Sequence, residues 1–113
     1  MDANAELSRN DVDVLPGATL LEFGATWCGV CRATAPAIRS ALAGHPDVRH
    51  LKIEDGPGRP LGRSFGVRLW PTLVFLRDGR ETARLVRPRD AASIGDALAA
   101  IDAPTAATGT ASR

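Results

Sequence analysis

The 113-residue sequence has little of several features on which whole classes of protein depend. Its two cysteines are too few for the disulfide scaffold of a small secreted domain. No run approaches the roughly 20 apolar residues of a membrane-spanning helix. The N-terminal stretch MDANAELSRND has no basic segment followed by an apolar one. We therefore expect no secretory signal, no membrane span and a cytoplasmic protein.

Charge of one sign is also missing, because 14 Lys plus Arg stand against 13 Asp plus Glu and the pI is about 7.9. This balance gives no electrostatic basis for binding nucleic acid or an anionic membrane. Gly56–Gly66 is rich in glycine and proline, but no Gly-Lys-Ser/Thr follows its glycines, so it is not a phosphate-binding loop. The length and the 44% hydrophobic residues predict one domain with its own core.

What the sequence does contain is an alternation of short strands and helices. Asp78-Gly79 between the last two apolar runs is the strongest local signal for a β-hairpin. A helical run with Pro36 inside it separates the first two strands, which implies a right-handed parallel unit and a kinked helix. The predicted strands are Thr19–Gly24, Val48–Glu54, Thr72–Leu76 and Glu81–Arg87.

The remaining segments set the predicted boundaries of the domain. Arg89–Ile101 has the spacing of an amphipathic helix with Asp90 as its N-cap, and one helical turn is expected near Leu61–Ser64. We predict a partly ordered N-terminal segment over residues 1–18, a domain over 19–102 and a disordered tail over 103–113.

Both cysteines lie in FGATWCGVCRATAP, three positions apart at the start of the predicted helix, and three uses are open for them. A zinc site would combine Cys28 and Cys31 with His45 and His50, whose loose spacing fits, although Pro46 separates the histidines. Two inert, buried thiols would simply pack as small hydrophobic groups.

The third use is redox chemistry. Cys28 would follow a strand and precede the first turn of a helix, whose free N–H groups and dipole favour a thiolate. Cys31, one turn later, would lie within disulfide reach. The first sulfur could attack a client disulfide, and the second could then release the reduced client.

The sequence resembles the thioredoxin family in several separated motifs. WCGVC is similar to the family signature Trp-Cys-Gly-Pro-Cys, with Trp27, Cys28, Gly29 and Cys31 matching. Pro36 stands where the family helix carries a proline, and FGVRLWPTLVFLRDGRE is similar to the segment with the family's cis proline, here Pro71. The resemblance spans about Leu20 to Ile101 and implies an α/β thioredoxin fold, a central mixed sheet of about four strands flanked by helices.

The resemblance also implies roles for the matching residues. Cys28 would be the attacking and more exposed sulfur, and Cys31 the shielded, resolving one. Trp27 would pack against the site and cover it, unless it is an ordinary core tryptophan. A cis Pro71 would place the backbone of Trp70 beside the cysteines, where an extended client segment can pair with it.

Glu22 interrupts an apolar strand, where a charge is costly unless it is paired or neutral. The resemblance places it where the family has a buried aspartate, which exchanges a proton with the resolving cysteine. His50 stands where the family usually has a lysine, so we regard it as a proton-relay partner of Glu22 that titrates near neutral pH. An exposed Glu22 and a merely tolerated His50 are the alternatives.

Several positions depart from the family pattern. Val30 replaces the proline between the cysteines, Trp70 is bulkier than the usual aliphatic residue, and Arg87 stands where the family commonly has glycine lining the substrate groove. The region before Thr19 is short and weakly patterned, so the family's usual first strand is expected to be missing. These differences suggest a specialised protein with its own clients.

The resemblance implies a thiol–disulfide oxidoreductase that reduces protein disulfides by cycling between a Cys28/Cys31 dithiol and a redox-active disulfide. It implies no bound cofactor and no metal. The implied partners are disulfide-containing client proteins and a thioredoxin-reductase-type enzyme, and we expect a monomer. The alternatives are a redox-sensing interaction protein or chaperone of the same fold with little turnover, and a zinc-binding module.

Overall fold

Four strands form one mixed sheet in the computed structural model, which describes residues 7–102. The predicted tail 103–113 and the first six residues lie outside the described part. Over the described range the chain forms α1 (Arg9–Asp13), β1 (Ala18–Gly24), α2 (Gly29–Ala43), β2 (Arg49–Glu54), α3 (Pro60–Ser64), β3 (Thr72–Arg77), β4 (Arg80–Val86) and α4 (Ala91–Asp102).

The strand order is β2-β1-β3-β4. β1 runs parallel to β2 and antiparallel to β3, and β3 runs antiparallel to β4. This confirms the predicted α/β fold with a central mixed sheet of four strands flanked by helices. No strand precedes β1 within residues 7–17, in agreement with the expected loss of the usual first strand. The short helix α1 occupies that segment instead.

The predicted hairpin joins β3 to β4 through Asp78 and Gly79, which have φ angles of 53° and 81°. Two successive positive φ angles are what a tight I′ hairpin turn needs, and they explain the Asp-Gly pair. Gly79 has a second constraint, because a Cβ added to it would overlap the backbone of Asp13 at the end of α1.

The helix boundaries differ from the predicted ones by one or two residues at most. α4 begins at Ala91, and Asp90 stands outside it as the predicted N-cap, its Oδ1 accepting the Ser93 N–H at 2.7 Å. α3 occupies the predicted helical turn, and Pro36 lies inside the continuous helix α2. No helix within residues 7–102 has the length and apolar character needed to cross a bilayer.

The two faces of the sheet are covered by different helices. α2 and α4 cover one face and bury Ile38, Ile94 and Leu98 against Leu20 and Phe75. α1 and α3 cover the other face, where Val12, Leu61 and Phe65 pack with Leu21 and Phe23. Side chains alternate along β1, so Glu22 points to the same face as Leu20, underneath α2.

Candidate active site

Cys28 caps the helix that follows β1. Its backbone is extended (φ −82°, ψ 115°), and its Sγ accepts the Cys31 N–H at 3.2 Å. A sulfur at this position satisfies one of the free amides of the first helical turn and lies at the positive end of the helix dipole. Both cysteines are free thiols, so the structure corresponds to the reduced state.

The two thiols ionise very differently. Burial by itself raises the pKa of Cys28, but hydrogen bonds from the Cys31 side chain and from the Cys31 and Val30 amides, with the charge of Arg87, bring it below its ordinary 9.0. Burial, the thiol hydrogen bond with Cys28 and the nearby charge of Glu22 raise the pKa of Cys31 to about 11. At neutral pH Cys28 is therefore the more readily ionised of the two thiols, and Cys31 is the more firmly protonated one.

The prediction that Cys28 is the more exposed sulfur was wrong. Cys28 is 7% exposed, whereas Cys31 is partly exposed. The physical reason is the cap itself: Sγ of Cys28 turns back onto the first turn of α2, while the side chain of Cys31 faces an open cleft.

This cleft, of about 250 Å³, connects Cys31 with the acid beneath the helix. Glu22 is 7% exposed, and its Oε1 lies 2.7 Å from Nε2 of His50 on β2. Sequence analysis singled out Cys31, Glu22 and His50. The fold places Cys31 and Glu22 in the same cleft and brings Glu22 into contact with His50. The lining residues are Glu22, Gly24, Ala25, Thr26, Cys31, Arg32, Ala35 and Lys52.

Sequence reasoning overlooked Gly24 and Lys52. Gly24 ends β1 directly beneath Cys31. A Cβ added to Gly24 would lie 2.8 Å from Cys31 Sγ, so the Cys31 side chain would have to move. Lys52 is the β2 neighbour of Glu22 in the parallel register and lines the same cleft. The parallel pairing of the two predicted strands was the signal that could have found it.

Two tryptophans mark the rim of the site. Trp27 is 70% exposed and contacts Trp70 edge to face, with ring centroids 5.3 Å apart, so it is not a core tryptophan. The Trp70–Pro71 peptide bond is cis. Trp70 Nε1 donates to Oδ2 of Asp55 at 2.8 Å, a contact that sequence reasoning did not identify. Gly29 and Val30, between the cysteines, are exposed at the first turn of α2.

Arg87 also reaches this rim. Its Nε donates to the carbonyl of Trp70 at 2.8 Å, and its backbone N–H donates to the carbonyl of Pro71 at 2.9 Å. Its φ of 52° lies in the left-handed region that favours glycine. The carbonyl of Trp70, which was expected to be available to a client, therefore already has a donor.

The four residues of the zinc alternative do not meet. His45 Nδ1 lies 2.8 Å from Oδ2 of Asp102, and His50 contacts Glu22. In the described part of the chain, no three or more His, Cys, Asp or Glu side chains are grouped so that they could hold a metal ion. The described geometry thus gives no support to the zinc alternative for Cys28 and Cys31.

A thiol of lowered pKa at a helix N-cap, with a second thiol one turn later on a mixed sheet, defines a thiol–disulfide oxidoreductase domain. The family model described as thioredoxin matches residues 4–100. The chain therefore belongs to the thioredoxin family, as its motifs suggested.

Three relatives illustrate the range of similarity. Thioredoxin 2 of Pseudomonas aeruginosa PAO1, solved in its reduced form, is 53% identical with a TM-score of 0.77, covering 85% of this chain and 89% of that one. Thioredoxin of Chlamydia muridarum is 37% identical over 72% of this chain and 79% of its own length. Human protein disulfide-isomerase A2 is 44% identical over 72% of this chain. The match covers only 17% of the length of that relative.

Proposed function

We propose that this protein reduces disulfides in client proteins through a cycle between a Cys28/Cys31 dithiol and a disulfide. The observation that carries the proposal is the N-cap geometry, in which Cys28 Sγ accepts the Cys31 amide at 3.2 Å and has a lowered pKa. The Cys28 thiolate attacks one sulfur of a client disulfide, and the other client sulfur leaves as a thiolate.

The second step needs a base. Cys31, which enters this step as a protonated thiol, must lose its proton before its sulfur attacks Cys28 Sγ and releases the second client thiolate. Glu22 lines the same cleft and is the only buried carboxyl in the described part of the chain, so it accepts this proton in our proposal. His50, at 2.7 Å from Glu22, passes the proton on towards solvent.

The cycle leaves a Cys28–Cys31 disulfide, which a thioredoxin-reductase-type enzyme would return to the dithiol with two electrons and two protons. The chain itself would bind no cofactor, since the two sulfurs carry the electrons. The partners in this proposal are disulfide-containing proteins and the reductase. The cytoplasmic location and the monomeric state stay predictions.

Reduction of insulin with dithiothreitol as electron source tests the proposal, and the two single-cysteine variants are each other's control. We expect Cys28→Ser to abolish turnover without forming an adduct. Cys31→Ser should also stop turnover but should accumulate a mixed disulfide with the client on Cys28, visible by mass spectrometry. If Cys28→Ser formed a client adduct on Cys31 as fast as Cys31→Ser forms one on Cys28, the assigned roles of the two cysteines would be wrong.

A redox-sensing interaction protein with little turnover is the second candidate. The observation that favours it is the exposed apolar rim, with Trp27 at 70%, Leu69 at 50% and Val86 at 48% exposure. The insulin assay separates the two functions. Turnover near zero, with a Cys28–Cys31 disulfide that still forms and is reduced again, would favour the interaction protein. The measured reduction potential would then show the direction of electron flow.

A further inference from the structure

A second cavity, of about 370 Å³, lies between α2 and the segment that follows β4. Its apolar wall comes from the first turns of α2, and its charged wall comes from the segment that follows β4. The lining residues are Val30, Ala33, Thr34 and Ala37 on α2, and Arg87, Pro88 and Arg89 after β4; the Thr34 hydroxyl donates to the Val30 carbonyl. Val30, which stands between the two cysteines in the sequence, places this cavity next to the active site.

The two arginines of this cavity have unused donors. Arg87 is held by Nε on the Trp70 carbonyl, and no described residue pairs with its two terminal amino groups. Arg89 has no hydrogen-bond or ion-pair partner among residues 7–102. The neighbouring carboxylate of Asp90 accepts the Ser93 N–H and caps α4, and it does not line the cavity. Two arginines therefore line this cavity, whose floor on α2 carries no carboxylate.

Arg87 is held in a defined position by hydrogen bonds to neighbouring backbone groups. A side chain at φ 52° is strained relative to glycine, and two hydrogen bonds to the carbonyls of Trp70 and Pro71 hold Arg87 there. Its charge acts on the Cys28 sulfur, so a group bound by Arg87 lies close to the disulfide under attack. By occupying the Trp70 carbonyl, Arg87 also takes an acceptor that the backbone of an extended client would use.

We propose that this cavity binds a carboxylate side chain of the client, so that Arg87 and Arg89 select protein disulfides flanked by Asp or Glu. The inference rests on the proposed function and names its substrate class. A guanidinium holds a carboxylate through two parallel hydrogen bonds, and the apolar floor accommodates the methylene groups of that side chain. The arginines also offset the repulsion between an acidic client and the Cys28 thiolate.

The test uses two synthetic peptides with one intrachain disulfide, identical except for Glu or Gln two residues from a cysteine. Wild-type protein should reduce the Glu peptide with a kcat/KM about 5-fold higher at low ionic strength, the effect expected of one partly exposed, charge-assisted contact. The preference should shrink when salt is raised from about 0.05 to about 0.5 M, because exposed charges are then screened.

The variants locate the preference. Arg87→Gln should slow both peptides, because Arg87 also lowers the pKa of Cys28, but the ratio between the peptides should fall close to one. Arg89→Gln, at an exposed residue, should reduce the ratio and checks the result if Arg87→Gln is unstable. Arg39→Gln removes an exposed arginine of α2 outside the cavity and should keep the wild-type ratio.

Each outcome has one meaning. Equal kcat/KM for both peptides in the wild type would overturn the carboxylate site while reduction of both still supported the proposed function. Reduction of neither peptide would overturn the proposed function itself. A preference that survived in Arg87→Gln and in Arg89→Gln would show that the carboxylate binds elsewhere, and would also overturn the inference.

Discussion

Alkylation of the reduced protein distinguishes between accessibility and ionisation as the origin of thiol reactivity, because the structure sets them against each other. Cys28 is 7% exposed and has a lowered pKa, whereas Cys31 is more exposed and has a pKa of about 11. A rise of two pKa units, from 9.0 to about 11, reduces the thiolate of Cys31 about 100-fold at neutral pH. Only the thiolate attacks iodoacetamide.

We therefore expect early label at pH 7 to fall on Cys28 in an excess of about 10-fold or more, because the lower nucleophilicity of a thiolate of low pKa offsets part of the difference in thiolate fraction. The sign follows from the shifts: lowering a thiol pKa increases its thiolate at neutral pH, and raising it does the reverse. The assay is brief iodoacetamide treatment at a series of pH values, acid quench, and assignment of the label by fragmentation mass spectrometry. Labelling of Cys28 should reach half its maximal rate below pH 9.0.

Cys31→Ser is the matched control, because it keeps the backbone N–H that donates to Cys28 Sγ at 3.2 Å. The Cys28 midpoint should stay below 9.0 in this variant, since the amide and the helix dipole remain. Equal or faster labelling of Cys31 in the wild type would mean that exposure governs reactivity. The N-cap argument would then be refuted, together with the assignment of Cys28 as nucleophile.

Three further predictions follow from individual side chains. Glu22→Gln should slow resolution of a mixed disulfide on Cys28 by about 10-fold or more while leaving the initial attack nearly unchanged, and equal resolution rates in stopped-flow experiments would remove Glu22 from the mechanism. Gly24→Ala should push the resolving sulfur aside and slow closure of the intramolecular disulfide, whereas Gly95→Ala, with open space around its Cβ, should not, as thiol titration during oxidation would show. Leu98→Ala should lower the free energy of unfolding by about 2–5 kcal/mol in urea titrations, since Leu98 is completely buried, and a loss under about 1 kcal/mol would contradict the packing.

Most of the fold could be predicted from the sequence because its signals are local. Runs of alternating or continuous apolar residues predicted both ends of each strand to within one residue. Asp78-Gly79 indicated the hairpin, whose two positive φ angles need those residues. The sequence signal for the helix cap at Asp90 was equally local. Each signal depends on residues at most a few positions apart, where backbone sterics and short-range hydrogen bonds decide the conformation.

The site was only partly predictable, because its finer geometry depends on contacts distant in sequence. Asp55 receives the indole N–H of Trp70 from 15 residues away, and Arg87 reaches the Trp70 carbonyl across 17 residues. No periodic pattern reports such pairs. The order of exposure of the two cysteines was also wrong, because it depends on the direction in which one sulfur turns.

Two departures from the family pattern, Trp70 and Arg87, are connected to each other. Trp70 brings an indole N–H that needs a partner, and Asp55 at the end of β2 supplies the acceptor. The Trp70 ring contacts Trp27, and the Trp70 carbonyl accepts a hydrogen bond from Arg87. Arg87 thus supplies a donor to the backbone carbonyl of Trp70, and Asp55 supplies an acceptor for its indole N–H. The bulky tryptophan and the arginine at a glycine-type position therefore belong together, and a client meets them as a single surface beside Cys28.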